Sequence, residues 1–301
     1  MDSLIPVVKD QAQEPPLNIK TKPPSAMKAL SIIAAAHSDP GKVRQVNEDS
    51  VFTFVRPAQS GDALGLLLVA DGIGGHKAGD IASKLAATTV FESLSWFLEK
   101  DQTEDTRPLN TSPELDPNNF IEKRLRRAVE NANLKIFEYA QNNQEKAGNM
   151  GTTITAALIW KHSMVIAHVG DSRGYLFRNG ILHQLTEDHS FVGQLIRRGQ
   201  LPYDAYYEHP RRNVITRALG QFPDVQIDLR TDVLQAGDKL LLCSDGLWEM
   251  IRDPRITDYL NQSDDLNAIA SAMIQEAIAN GGPDNISLVL GHVNHTNPHD
   301  S

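Results

Sequence analysis

The segment Leu66-Leu67-Leu68-Val69-Ala70-Asp71-Gly72 joins an apolar, strand-like run to an aspartate and a glycine. A similar arrangement occurs twice more, in Val165-Ile166-Ala167-His168-Val169-Gly170-Asp171-Ser172 and in Leu240-Leu241-Leu242-Cys243-Ser244-Asp245-Gly246. Two further acidic positions, the pair Glu48-Asp49 and Asp284, directly precede runs of strand character. The pattern predicts that several carboxylates gather at one edge of a sheet core.

These aspartates admit two interpretations. An aspartate followed by glycine is a common turn signal, and any one of these motifs alone favours a turn. However, the preceding strands are apolar enough to be buried, and an ionised carboxylate at a buried strand end is costly unless a cation neutralises it. Several carboxylates together would also raise one another's pKa. A shared divalent cation removes both problems, so the whole set favours metal binding.

The available ligands restrict the type of metal. The chain has one cysteine, Cys243, and it contains neither an HExxH motif nor an EF-hand loop. Carboxylate and carbonyl oxygens favour Mg²⁺, Mn²⁺ or Ca²⁺ over zinc, and the missing EF-hand argues against a calcium sensor. Four or five carboxylates can hold two ions about 3.5–4 Å apart, an arrangement that hydrolyses phosphate esters. Arg44 lies four residues before Glu48, and in an extended segment it would face the same side and bind phosphate oxygens.

Composition and sequence exclude several other functions. The 301 residues carry a formal net charge of −9, so no nucleic-acid partner is expected, because a duplex-binding surface usually has a basic excess. The longest apolar run, Leu64 to Ala70, is too short for a membrane helix, and no signal peptide is visible. A cytoplasmic protein without a membrane partner is therefore predicted. Glu249 stands where a cysteine phosphatase built on Cys243 would need arginine, and the phosphate-binding loop of an NTPase is missing.

Apolar strands and amphipathic helices fill most of the chain. The strands come in adjacent pairs with helices clustered between the pairs, which is typical of antiparallel sheets covered by helices. The predicted strands are Ile32–His37, Ser50–Val55, Leu64–Ala70, Thr153–Trp160, Met164–Val169, Tyr175–Arg178, Lys239–Cys243 and Asn285–Val293. The predicted helices are Gly79–Glu99, Phe120–Gln141, Ser190–Arg198 and Asp265–Asn280.

The domain organisation is simple. Residues 1–28 are rich in proline and poor in large apolar side chains, which predicts a flexible leader. A single domain over 29–295 follows, with a proline-punctuated surface loop inserted at 101–119. Residues 296–301 form a short tail.

A set of short motifs in a fixed order resembles a known family, the metal-dependent protein serine/threonine phosphatases of PP2C-like (PPM) type in their bacterial form. The resemblance runs from about Ala29 to Val293. The motifs are Val43-Arg44 with Asn47-Glu48-Asp49, Val69-Ala70-Asp71-Gly72-Ile73-Gly74-Gly75-His76, Met150-Gly151-Thr152-Thr153, Gly170-Asp171-Ser172-Arg173, Leu185-Thr186 with Asp188-His189-Ser190, Ile215-Thr216-Arg217-Ala218-Leu219-Gly220, Cys243-Ser244-Asp245-Gly246-Leu247 and Gly281-Gly282-Pro283-Asp284-Asn285.

The resemblance implies a fold and an activity. The fold is an α+β, four-layer α-β-β-α sandwich of two stacked antiparallel sheets flanked by helices. The activity is hydrolysis of phosphoserine and phosphothreonine on proteins, by attack of a metal-activated hydroxide and without a covalent intermediate. The expected partners are phosphorylated proteins and a cognate Ser/Thr kinase whose action the enzyme reverses, and a monomer is expected. The alternative is a non-catalytic relative that only binds phosphoproteins, which the complete set of motif aspartates disfavours.

Metal ligands are also implied by the resemblance, for two Mn²⁺ or Mg²⁺ ions and for a third, weaker ion. Asp71 would bridge the first two ions and act in catalysis, while Asp171 would hold the third ion together with Asp245. Glu48 and Asp49 would serve the second ion partly through water. The full set of implied ligands is Glu48, Asp49, Asp71, Gly72 through its carbonyl, Asp171, Asp245 and Asp284.

Further expectations concern the substrate and the leaving group. Arg44 resembles the catalytic clamp for the phosphate, and residues 191–212 resemble a mobile flap beside the site. Some family members carry a histidine two residues after the bridging aspartate as a proposed general acid, but this chain has Ile73 there. The proton donor is therefore open between His76, His189 and a metal-bound water.

Overall fold

Two antiparallel sheets form the centre of a computed structural model, which describes residues 28–57, 62–74, 78–99 and 117–296. The first sheet has the order β1-β11-β10-β7-β8, with strands β1 Leu30–Asp39, β7 Arg173–Arg178, β8 Ile181–Gln184, β10 Lys239–Cys243 and β11 Ile286–His295. The second has the order β2-β3-β5-β6-β9, with β2 Asp49–Val55, β3 Leu64–Ile73, β5 Ile154–Trp160, β6 Ser163–Val169 and β9 Asp228–Val233. A two-residue strand, β4 Gly151–Thr152, pairs with the end of β3.

Helices cover the outer face of each sheet. Helices α1 (Ala78–Glu99) and α2 (Pro117–Asn142) lie on the second sheet, with the short α3 (Gln144–Ala147) after them. On the side of the first sheet are α4 (Phe191–Arg197), α5 (Asp245–Trp248), α6 (Asp253–Gln262), α7 (Leu266–Ala279) and a 3-10 helix over Tyr203–Glu208. None of the helices within the described ranges is long and apolar enough to cross a membrane.

Strand alternation explains the layers. In β3, Leu66 and Leu68 pack against α1 and α2, whereas Leu67 and Val69 face the first sheet. In β10, alternate residues likewise divide between the space between the sheets and the helices outside. Since both faces of these strands are buried, their sequences are continuous apolar runs instead of alternating ones. The expected four-layer sandwich is confirmed.

Most of the predicted elements are present, with several differences. The predicted loop at 101–119 is wrong at its end, because α2 begins at Pro117, and proline is well tolerated in the first turn of a helix. Residues 101–116 lie outside the described residues, as do residues 1–27 of the predicted leader and residues 297–301 of the predicted tail. The prediction missed β4, β8, β9, α3, α5, α6 and the 3-10 helix.

Candidate metal centre and active site

Two aspartates lie opposite each other where β2 begins and β3 ends. The antiparallel register pairs Asp49 with Asp71, a like-charge pair that is destabilising when nothing neutralises it. The backbone of Asp71 is held firmly, because its N–H donates to Thr153 Oγ1 at 2.9 Å and its carbonyl accepts from Thr153 N at 2.8 Å. Thr152 Oγ1 also donates to the Asp71 carbonyl. Protein hydrogen bonds alone therefore hold the strand end that carries Asp71 in place.

A serine links this pair to the other sheet. Ser244 follows β10 directly, and its Oγ donates to Asp49 Oδ2 at 2.8 Å. The same Oγ accepts from Ser287 N of β11 at 3.0 Å. Asp245, the next residue, begins α5. The two sheets thus meet at this edge, and their meeting brings Asp49, Asp71 and Asp245 together.

Asp284 and Arg44 occupy the mouth of the site. Asp284 Oδ2 accepts from Arg44 Nη2 at 2.8 Å, and the Arg44 side chain is 50% exposed. The segment around Arg44 is not a regular extended strand, because the chain turns at 41–43 and Lys42 N donates to Gly282 O at 2.8 Å. The turn nevertheless brings Arg44 to the carboxylates, and Asp284, Glu48 and Asp71 all act electrostatically on its guanidinium.

Gly72 allows a close approach of three chain segments. A Cβ at this position would overlap the Gly79 carbonyl at the start of α1 and would lie 2.6 Å from the Glu48 carbonyl oxygen. Glu48 is nearly buried, its N–H donates to Asn285 Oδ1, and its carbonyl accepts from Ser83 Oγ at 2.6 Å. The structure therefore places the Glu48 backbone beside Gly72.

Asp171 lies on the deeper side of the site. It is 2% exposed and follows Gly170, whose φ of +115° favours glycine. The Asp171 carbonyl accepts from Trp248 Nε1 at 3.1 Å, which ties it to the end of α5. Asp245 begins that same short helix, so α5 carries Asp245 at one end and holds the Asp171 backbone at the other.

His189, one of the candidate proton donors, is held by protein groups at both ring nitrogens. Its Nδ1 accepts from Gly170 N at 3.0 Å, and its Nε2–H donates to Asp228 Oδ2 at 3.1 Å. Burial lowers the pKa of His189, so the neutral ring is favoured and both nitrogens are occupied by protein groups. His76 lies outside the described residues.

The aspartates strongly perturb one another. Burial raises the pKa of Asp49 to about 6 and that of Asp171 to about 7. Burial, and then the charges of the neighbouring aspartates, raise the pKa of Asp71 and of Asp245 well above the usual range. Each of these carboxylates is thus unstable as an anion among its neighbours unless a positive charge joins them.

The donor set fits divalent cations. Among the described residues, three buried carboxylate oxygens find no hydrogen-bond donor, namely Oδ1 of Asp49, of Asp171 and of Asp245. Such atoms are costly to bury without a partner, and hard oxygen ligands suit Mg²⁺ and Mn²⁺. No three acidic or histidine side chains in the described ranges already close around one ion position. The evidence for cation binding is therefore the unpartnered oxygens and the repulsion between the aspartates, and not a set of ligands already arranged around one ion position.

Sequence reasoning did not assign a role to the residues that support the proposed ligands. Asn285 Nδ2 donates to the carbonyls of Pro40 and Val46, each at 3.0 Å, and so fixes the segment that carries Arg44 and Glu48. Thr153, Ser244 and Ser83 hold backbone or side-chain atoms of the acidic residues in the same way. Asn285, Thr153 and Ser244 belong to the motifs quoted above, and that membership is the signal that could have identified their role.

The predicted flap is anchored at its centre. Tyr206 of the 3-10 helix is buried with its ring 5.1 Å from that of Trp248, and Tyr203 Oη accepts from Arg173 Nη1 at 3.0 Å. Arg173 is itself buried, forms a salt bridge with Asp188 and stacks on Trp248 at 3.5 Å. The predicted flap therefore contacts the helix that carries Asp245. The mobility of the flap stays a prediction.

Cys243 is not a nucleophile. It is fully buried in β10, and burial raises the pKa of its thiol far above neutrality. The expectation of a buried strand residue is confirmed.

The sequence profile of protein phosphatase 2C matches residues 41–280. The chain belongs to the protein phosphatase 2C family. The serine/threonine phosphatase stp of Listeria welshimeri is 39% identical to this phosphatase over 257 residues, which cover 85% of this chain and 94% of that protein. The protein phosphatase PhpP of Streptococcus pneumoniae is 35% identical over 257 residues, which cover 85% and 96%.

Solved structures agree with this membership. The serine/threonine phosphatase PstP/Ppp of Mycobacterium tuberculosis superposes with a TM-score of 0.72 at 35% identity, covering 88% of this chain and 100% of that chain. The catalytic domain of PstP in complex with two manganese ions gives a TM-score of 0.70 at 34% identity, covering 88% and 100%. This chain is therefore an enzyme of the serine/threonine phosphatase type, and the family predicted from its motifs is confirmed.

Proposed function

We propose that this phosphatase 2C hydrolyses phosphoserine and phosphothreonine esters on proteins at the acidic edge where its two sheets meet. The observation that carries the proposal is a cluster of four buried aspartates beside the half-exposed guanidinium of Arg44. Asp71 is coupled by charge to Asp49, Asp171 and Asp245, and Oδ1 of each of these three neighbours lacks a hydrogen-bond donor. A carboxylate cluster of this kind suits cations, and the exposed guanidinium suits a phosphate dianion.

The proposed ligands form two sets around Asp71. Asp245 and Asp284 would hold one ion with it, and Asp49, Glu48 and the carbonyl of Gly72 would hold the other. The two manganese ions in the PstP catalytic domain support a pair of ions, while the choice of Mn²⁺ or Mg²⁺ here is our proposal.

The weaker third ion is proposed between Asp171 and Asp245. The support for it is that Oδ1 of each of these two residues lacks a hydrogen-bond donor.

Bound ions would act as Lewis acids that activate a water molecule and offset the charge of the phosphate. The chain's own contribution is positioning. Thr153 and Ser244 fix Asp71 and Asp49 before substrate arrives, so little reorganisation is needed during the reaction. Arg44 is solvent-accessible enough to exchange Asp284 for two phosphate oxygens.

The non-catalytic alternative raised by the sequence does not apply, because the chain is an enzyme of the serine/threonine phosphatase type. The proposed partners are phosphorylated proteins and a cognate Ser/Thr kinase. A role in signalling, a cytoplasmic location and a monomeric state stay predictions.

The test measures turnover of phosphoserine and phosphothreonine peptides and of p-nitrophenyl phosphate by EDTA-treated protein, with Mn²⁺ or Mg²⁺ then added back. We expect metal-dependent turnover by the wild type and a loss of several orders of magnitude in Asp245→Asn. Asp258→Asn, on the exposed side of α6, is the matched control and should behave as wild type. Hydrolysis that survives EDTA, or near-normal turnover by Asp245→Asn at saturating Mn²⁺, would contradict the proposal.

A further inference from the structure

A surface cavity lies beside the acidic site. Its volume is about 370 Å³, and its lining comes from Ile73 and from the segment 215–226. Half of the lining is apolar, namely Ile73, Ile215, Ala218, Phe222 and Val225. The proposed reaction gives this cavity no task, because none of the proposed metal ligands, nor Arg44, belongs to its lining.

Backbone hydrogen bonds fix the cavity to the strand that carries Asp71. Ile73 is two residues beyond Asp71 and pairs with Gly151 of β4. On the far side of β4, Thr152 and Leu219 exchange both backbone hydrogen bonds, at 3.2 and 2.8 Å. The cavity wall is therefore connected by backbone hydrogen bonds to the end of the strand that carries Asp71.

Phe222 is an exposed aromatic ring on a fixed backbone. The residue is 72% exposed, yet Asn133 Nδ2 donates to the carbonyls of Phe222 and Pro223 at 3.0 and 2.9 Å. Asn133 Oδ1 also accepts from Gly220 N at 2.8 Å. Because the backbone is already fixed, binding here costs no ordering of the chain, and exposed aromatic side chains are typical of interaction sites.

Other exposed apolar side chains are neighbours in the sequence of Arg44 and of the cavity lining. Val43 and Val46 flank Arg44 along the chain, and Val214 precedes the cavity residue Ile215. Exposed apolar side chains thus occur in both chain segments, the one that carries Arg44 and the one that leads into the cavity.

The charges of the cavity do not favour an acidic ligand. In this lining, all of which the structure describes, the one cation is Arg217, and its Nη1 donates to Asp228 Oδ1 at 2.6 Å. Asp224 adds a negative charge to the lining. Since Arg217 is neutralised and Asp224 is acidic, an anionic side chain would gain little there, and a neutral apolar one is favoured.

We propose that this cavity, the Phe222 pocket, binds an apolar side chain close in sequence to the phosphorylated serine or threonine of a protein substrate. The proposal rests on the proposed function, because it assigns a substrate class to the same site. Phe222 is then a specificity-determining residue that touches the substrate but takes no part in the chemistry.

The experiment uses phosphoserine peptides with a glycine- and serine-rich background, in which one leucine is moved from three residues before to three residues after the phosphoserine. For the wild type we expect that leucine at one of these positions raises kcat/KM at least tenfold over glycine at the same position. A preference of this magnitude is what an apolar pocket can supply. In Phe222→Ala the ratio should fall towards one, and in Phe222→Leu it should be largely retained. Ile181→Ala, an exposed apolar residue on β8 of the other sheet, is the control and should keep the wild-type ratio.

Two kinds of failure are distinguishable. If the wild type hydrolyses p-nitrophenyl phosphate and the leucine-free peptide but shows no leucine preference, the pocket assignment is wrong and the proposed function stands. The pocket assignment is equally wrong if the wild type prefers aspartate, or if Phe222→Ala retains the leucine preference. If no phosphate ester is hydrolysed with any divalent cation, the proposed function itself fails.

Discussion

Replacing Asp49 by asparagine should stabilise the protein whenever divalent cations are absent. Ser244 Oγ donates to Asp49 Oδ2, whereas Oδ1 has no hydrogen-bond donor, and burial raises the pKa of Asp49 to about 6. Asparagine is close to isosteric, and its amide oxygen can accept the same bond from Ser244. The substitution therefore removes the charge with little change in packing.

The magnitude follows from proton linkage. The pKa of Asp49 is raised from the model-compound value of 3.8 to about 6, a difference that corresponds to about 3 kcal/mol. Because the folded state binds the proton more tightly, stability is lost as pH rises from about 4 to about 6, and the full loss applies above that range. Asp49→Asn escapes this loss, so at pH 8 in EDTA it should unfold at a temperature higher by roughly 6–12 °C.

Thermal and urea unfolding, followed by circular dichroism between pH 4.5 and 8, would measure the effect. Asp258→Asn is again the matched control and should show the pH dependence of the wild type. In saturating Mn²⁺ the order should reverse, because the cation stabilises the wild-type carboxylates and binds the amide less well. The reasoning is refuted if EDTA-treated wild type gains stability across this pH range, or if Asp49→Asn is the less stable protein at pH 8 in EDTA.

Two further substitutions separate substrate binding from support of the site. Arg44→Ala should chiefly raise KM for a phosphopeptide, because the exposed guanidinium binds the phosphate. Steady-state kinetics measure this effect. A collapse of kcat at unchanged KM would instead mean that Arg44 stabilises the transition state. Arg173→Met should destabilise the fold by about 3–5 kcal/mol, because it leaves the buried Asp188 carboxylate unpaired. Urea unfolding measures that loss, and Arg173→Met combined with Asp188→Asn should recover part of it.

The layers of the core could be predicted because they follow from the pattern of hydrophobic residues along the strands. The continuous apolar runs of β3 and β10 can be satisfied only by burial on both faces, and their strand ends locate Asp71 and Asp245. By contrast, β9 was missed because Asp228–Val233 carries charged residues and none of its side chains is fully buried. Edge strands of this kind give little hydrophobic signal.

Tertiary contacts decide what the sequence left open. The conformation around Arg44 depends on bonds that Gly282 and Asn285 make from the far end of the chain, which no local pattern shows. Likewise, the motif identifies His189 as a candidate proton donor, but its partners Gly170 and Asp228 only become visible in three dimensions. Motif order thus identified the site, whereas the supporting hydrogen bonds had to come from the structure.

Anomalous diffraction from crystals grown with Mn²⁺, recorded at the manganese absorption edge, tests the central claim most directly. The account predicts at least two manganese peaks between the carboxylates of Asp49, Asp71, Asp245 and Asp284. Peaks confined to other surfaces, or carboxylates that stay unliganded at saturating Mn²⁺, would contradict it.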